Sequence, residues 1–101
     1  MEVNVATADG RAVLQLRGRF DFNSSRDFRE AIDNALGQPD TSGVQVDLGG
    51  VEYLDSSALG MLLMLRDRCK GANKTVSLSN CRGAVKQVLD IANFSRLFQI
   101  E

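Results

Sequence analysis

The stretch LDSSALGMLLML, residues 54–65, decides how the rest of the chain is interpreted. Asp55, Ser56 and Ser57 are short polar residues of the kind that begins helices, and an apolar segment follows them directly. We therefore predict a helix over residues 56–70, with Gly71 as its C-terminal signal. One polar side chain is enough to cap a helix, so this start carries more polar groups than helix formation requires.

The predicted helix is apolar on more than one side. At about 100° per residue, one arc is wide enough to face a core. Its members are Ala58, Met61, Leu62, Leu65 and Cys69. Leu59 and Leu63 fall on a neighbouring arc together with Ser56 and Gly60, and Met64 points away from both groups. Either the helix packs on two sides within the domain, or Leu59 and Leu63 form an exposed docking surface beside the serine.

The flanking segments define an α/β order. Alternating apolar residues on both sides of Asp9-Gly10 predict a β-hairpin. Residues 24–36 have the stripe of an amphipathic helix with Ser24 or Ser25 as its cap, and residues 44–48 alternate as a strand that Gly49-Gly50 ends. A strand over residues 75–79, a helix over residues 85–92 and a short terminal strand complete the pattern. We predict a single α/β domain over residues 1–101, with a mixed sheet and helices mainly on one face.

The composition argues against several classes of function. The chain has 101 residues, a formal net charge of −1 and no histidine. A nucleic-acid site, a metal site, a cofactor and the usual catalytic arrangements are therefore not expected, and we predict a protein that is not an enzyme. The apolar runs are too short to cross a membrane, and no secretory signal precedes the first strand. This favours the cytoplasm, where both cysteines are expected to be reduced.

Several segments together resemble a known family. LDSSALGMLLML is similar to the signature of STAS-domain anti-sigma factor antagonists, in which Asp-Ser-Ser/Thr-Gly-Leu-Gly precedes an apolar helix. LRGRFDFNSS resembles the family's Gly-x-x-Asp loop, and VQVDLGGVEYLDSS resembles its approach to the phosphorylation loop. The resemblance covers essentially the whole chain. Ala58 departs from it, because the family often has glycine there.

The resemblance implies a role for each residue of the motif. Ser56 would be the phosphoacceptor, Asp55 would shape its loop, and Asp21 would lie near it on the surface that binds the partner. Ser57 would act as a cap or helix-start residue. Leu59, Gly60 and Leu63, which the helical projection places on the arc of Ser56, would extend the partner-binding surface. The partner would be an anti-sigma factor that is also a serine kinase, and a PP2C-type phosphatase would reverse the modification.

The same family leaves a second function open. STAS domains also serve as accessory subunits of lipid-transport complexes or of stress-signalling assemblies. In that case the helix would pack permanently on its partner, and the hydroxyls would only begin the helix. Phosphorylation of Ser56 distinguishes the two possibilities.

Overall fold

The computed structural model describes all residues from Met1 to Glu101. The chain forms five strands: β1 (Glu2–Ala8), β2 (Arg11–Phe20), β3 (Gly43–Leu54), β4 (Thr75–Ser79) and β5 (Gln99–Ile100). Three α-helices connect them: α1 (Ser25–Leu36), α2 (Ser56–Gly71) and α3 (Gly83–Ile91). Two short 3-10 turns, Phe22–Ser24 and Phe94–Arg96, precede α1 and β5. The predicted order is confirmed, including the short terminal strand.

The five strands form one mixed sheet in the order β1-β2-β3-β4-β5. β1 is antiparallel to β2, and strands β2 to β5 run parallel to one another. Parallel strands that follow one another in this order, joined by right-handed crossovers, place all three connecting helices on the same face. The predicted single domain with helices mainly on one face is therefore what the structure shows.

The hydrophobic core lies between that face and the helices. The strands contribute every second residue, such as Leu14, Leu16, Val44, Val46 and Leu78. Val13 is also buried, but it points to the opposite face and lies outside this core. The other face carries polar side chains that bond to one another, so only one side of the sheet supplies the apolar burial that stabilises the fold.

The structure corrects the predicted end of β3. Gly49 and Gly50 were expected to end the strand, but β3 continues through them to Leu54. The pairing with β2 shifts at this point, so β3 carries an extra residue in a bulge. A Cβ at position 50 would lie 2.9 Å from the carbonyl oxygen of Leu16, and the glycine therefore permits close approach of the two backbones.

Candidate partner-binding site

β2 and β3 end side by side, and this brings two predicted site segments together. Phe20 pairs with Leu54 at the ends of the two strands, and the backbone N–H of Asp55 donates to the Phe20 carbonyl at 3.3 Å. The segment that begins at Asp21 and the helix that begins at Ser56 therefore start at the same end of the sheet, where β2 and β3 finish. The first 3-10 turn contacts α2 directly.

Asp55 caps α2, and Ser57, expected as a cap or helix-start residue, lies in the first turn of the helix and does not cap it. The Oδ1 atom of Asp55 accepts a hydrogen bond from the backbone N–H of Ala58 at 3.0 Å, and the Asp55 backbone is extended as an N-cap requires. Ser56 and Ser57 are the first two helical residues, and both are exposed. Neither hydroxyl takes part in a hydrogen bond within the chain. The departure at Ala58 has a packing consequence, because this side chain is fully buried under the first turn.

Asp21 has a comparable structural task in the neighbouring segment. Its side chain accepts a hydrogen bond from the backbone N–H of Asn23 at 3.1 Å, while Ser24 Oγ accepts one from the Asp21 N–H at 3.3 Å. This reciprocal capping box holds the first 3-10 turn. Ser24 is therefore used there and makes no side-chain cap to α1, contrary to the sequence prediction. The Nε atom of Arg19 lies 3.8 Å from the Asp21 carboxylate.

The second apolar arc of α2 is partly packed and partly exposed. Leu59 and Met64 are half-buried and contact the core, whereas the Leu63 side chain remains 37% exposed. Gly60 is exposed, and nothing lies within 4 Å of the position that a Cβ would occupy. Both interpretations of the helix are thus partly correct: Leu59 mainly supports the core, while Leu63 and Gly60 face outward near the serines.

Two exposed aromatic residues at the same end of the sheet were not predicted from the sequence. Phe22 is 67% exposed and directly follows Asp21, and Tyr53 is 42% exposed, two residues before Asp55. The Arg19 guanidinium lies over the Tyr53 ring at 4.2 Å from its centroid. Tyr53 was not predicted to lie on a strand, because the predicted strand ended at Gly49-Gly50. Phe22 could have been identified from the sequence, since it is an aromatic residue in the loop after β2.

No cluster of three acidic, cysteine or histidine side chains could hold a metal ion. Burial raises the pKa of the thiols of Cys69 and Cys81, so both stay protonated at neutral pH and are weak nucleophiles. None of the helices combines the length and the apolar content needed to span a membrane.

An exposed serine hydroxyl and exposed apolar side chains thus lie near the ends of β2 and β3, in a mixed sheet that is covered by helices on one face. The chain belongs to the STAS domain family: the family model described as "Mlab, STAS domain" matches residues 3–99. A STAS-domain containing protein of Pseudomonas aeruginosa (strain UCBPP-PA14) is 47% identical over 95 residues, which cover 93% of this chain and 92% of that protein. STAS domains are generally binding modules without catalytic activity.

Solved structures share the fold at low sequence identity. An anti-sigma factor antagonist from Mycobacterium paratuberculosis is 18% identical with a TM-score of 0.85, and the match covers 98% of this chain and 83% of that one. The anti-sigma factor antagonist SpoIIAA in its unphosphorylated form is 17% identical with a TM-score of 0.74, and the match covers 99% and 87% of the two chains. These structural neighbours are anti-sigma factor antagonists, and at this identity they establish the fold.

Proposed function

We propose that this protein is an anti-sigma factor antagonist whose binding is switched by phosphorylation of Ser56. The unmodified protein binds an anti-sigma factor that is also a serine kinase, and this releases a sigma factor. Phosphorylated protein dissociates, and a PP2C-type phosphatase restores binding. The surface that carries the interaction comprises Asp21, Asp55, Ser56, Ser57, Leu59, Gly60 and Leu63.

The division of labour between Asp55 and Ser56 is the observation that carries the proposal. Because Asp55 already caps α2, the Ser56 hydroxyl has no capping role, and its exposure makes it accessible to a kinase. The exposed side chains of Phe22 and Tyr53, near the ends of β2 and β3, and of Leu63 on α2 add apolar area to the proposed surface. SpoIIAA, which has the same fold, has been solved in unphosphorylated and phosphorylated forms, and this supports the proposed cycle.

The energetics of such a switch are favourable. A thousandfold loss of affinity requires about 4 kcal/mol. Phosphorylation adds roughly −1.5 to −2 charges, and burying an unpaired charge at an interface costs several kcal/mol. The dipole of α2 would favour the phosphate by only about 0.3–1 kcal/mol, and it acts in both the free and the bound protein. Local charge and bulk therefore suffice, without refolding of the domain.

Variants of Ser56 test the proposal directly. Ser56→Ala should not be phosphorylated and should bind the kinase constitutively, whereas Ser56→Asp should lose binding. Ser57→Ala is the matched control, because Ser57 is also exposed and makes no cap. The measurements are intact mass after incubation with candidate kinases and ATP, and a pull-down of the kinase. Stoichiometric phosphorylation of the Ser56→Ala variant would contradict the assignment.

An accessory subunit of a lipid-transport or stress-signalling complex is the second candidate function. The description of the matching family model names Mlab and not an anti-sigma factor antagonist, which supports this second candidate. A constitutive subunit would bind its partner through the same end of the sheet. Ser56→Asp would then weaken binding only if position 56 lies within the interface. Co-purification that is unaffected by ATP, kinase and phosphatase would support this function over the switch.

A further inference from the structure

The outer strand β1 leaves one row of backbone groups unpaired. β1 pairs only with β2, and the two are joined by a two-residue turn with positive φ at Asp9 (55°) and Gly10 (77°). This is a type I′ turn, whose closing pair, Ala8 and Arg11, exchanges both hydrogen bonds. Since hydrogen-bonded pairs alternate along an antiparallel ladder, the N–H and C=O groups of Val3, Val5 and Thr7 point away from the sheet.

This edge lacks the features that usually prevent further pairing. Proteins commonly block an edge strand with proline, lysine, a bulge or a very short length. β1 has seven residues with an uninterrupted register, and Glu2 is its only charged residue. Val3 and Val5 are half-buried on the helix side, so the edge also offers some apolar surface.

A groove with negative charge runs along this edge between β1 and α1. Its walls include Met1, Val3 and Val5 on the β1 side and Asp27 and Glu30 on the α1 side. Its charged side chains are Asp27 and Glu30, neither forms an ion pair, and they outnumber the one cationic group of the lining, the Met1 ammonium. An occupant that adds to β1 would therefore lie beside two unpaired carboxylates.

We propose that the β1 edge binds an extended, basic segment of a partner protein, with lysine or arginine at every second position. The backbone of the segment would pair with Val3, Val5 and Thr7 as a sixth strand. The aliphatic stems of its basic side chains would cover Val3 and Val5, and their charged ends would reach Asp27 and Glu30. This binding depends on neither Ser56 nor the proposed sigma-factor function.

Charge complementarity favours such a segment over a second copy of this chain. Antiparallel pairing of two β1 strands about a twofold axis would put both α1 helices on one face of the joined sheet. Asp27 and Glu30 of each copy would then face the same carboxylates of the other. Like charges in that position oppose pairing, whereas lysine or arginine would neutralise them.

A peptide pair tests the proposal. The probe is acetyl-Thr-Lys-Thr-Lys-Thr-Lys-Thr-amide, and a control peptide of the same composition carries its three lysines in succession. The unmodified full chain should bind the alternating peptide about fivefold more tightly, as only that peptide presents all lysines on one side of a strand. Amide hydrogen exchange should slow at Val3, Val5 and Thr7. Equal affinities, or protection elsewhere, would overturn the proposal.

Two variants separate backbone pairing from charge. Thr7→Pro removes an outward N–H without removing a bond to β2, and it should abolish protection at the edge while Thr7→Ala retains it. Asp27→Asn combined with Glu30→Gln should weaken peptide binding about fivefold, as expected for the loss of two exposed charge pairs. Dimerisation of the protein alone through β1, seen by sedimentation, would identify a second copy as the occupant and overturn the proposal.

Discussion

At the scale of single residues, replacing either of two glycines with alanine should change the stability of the protein in opposite directions. Gly50→Ala should destabilise the protein by about 1–3 kcal/mol, because its Cβ would lie 2.8 Å from Arg17 Cγ and 2.9 Å from the Leu16 carbonyl oxygen. Gly60→Ala should stabilise it by up to about 1 kcal/mol, since the helical position has open space. Urea unfolding of both variants measures the two changes.

The Gly60→Ala variant also tests the partner surface. If a partner approaches α2 closely at Gly60, the added methyl group should weaken binding while stability rises. Unchanged affinity for the kinase would remove Gly60 from the proposed surface.

Asp55 is the other residue whose role is local. Asp55→Ala removes the hydrogen bond to the Ala58 N–H and should lower stability by about 1 kcal/mol, whereas Asp55→Asn should keep most of the cap. Thermal unfolding of the two variants gives the comparison. Equal losses would show that the negative charge near the helix start, and not the cap, stabilises α2.

At the scale of elements, α2 carries both a core face and a binding face, and two adjacent leucines separate them. Leu62 is fully buried and Leu63 is 37% exposed. Leu62→Ala should cost about 2–5 kcal/mol of stability through lost burial and a cavity. Leu63→Ser should change stability little and should weaken kinase binding, which denaturation and pull-down measure separately. A large loss of stability at Leu63 would place it in the core.

At the scale of the whole molecule, Arg11 connects the start of the sheet to the end of the chain. Its Nη1 atom lies 2.7 Å from Glu101 Oε2 and 3.2 Å from Ser77 Oγ, so it ties β2 to β4 and to the terminal residue. The Glu101 backbone N–H also donates to the Leu78 carbonyl at 2.8 Å. The short strand β5 is thus held by side chains as well as by its ladder.

This link predicts a pH dependence of stability. The hydrogen bond from Arg11 lowers the pKa of Glu101 in the folded protein. A carboxyl group whose pKa is lower when folded contributes stability above its unfolded pKa, and that contribution is lost as the pH falls through the folded pKa. Glu101→Gln should therefore flatten the loss of stability below the ordinary glutamate pKa, and Arg11→Met should do the same. An unchanged acid profile in both variants would contradict this origin.

The fold could be predicted from the sequence because its signals are local. The stripe of α1, the polar start of α2 and the Asp9-Gly10 turn each depend on residues a few positions apart, and the structure confirms all three elements. The end of β3 could not be predicted in this way. Gly49-Gly50 is a strand terminator in most local contexts, and only the pairing with β2 turns it into a bulge.

By itself, then, the sequence determined the order of the elements, the face of each that is apolar and the family signature around Ser56. Tertiary structure decided which polar residue caps α2, that Phe22 and Tyr53 are exposed near the ends of β2 and β3, and that Asp27 and Glu30 line the unpaired edge of β1. The physical reason is one of range. Periodicity and capping act within a few residues, whereas exposure and pairing depend on neighbours that only folding brings together.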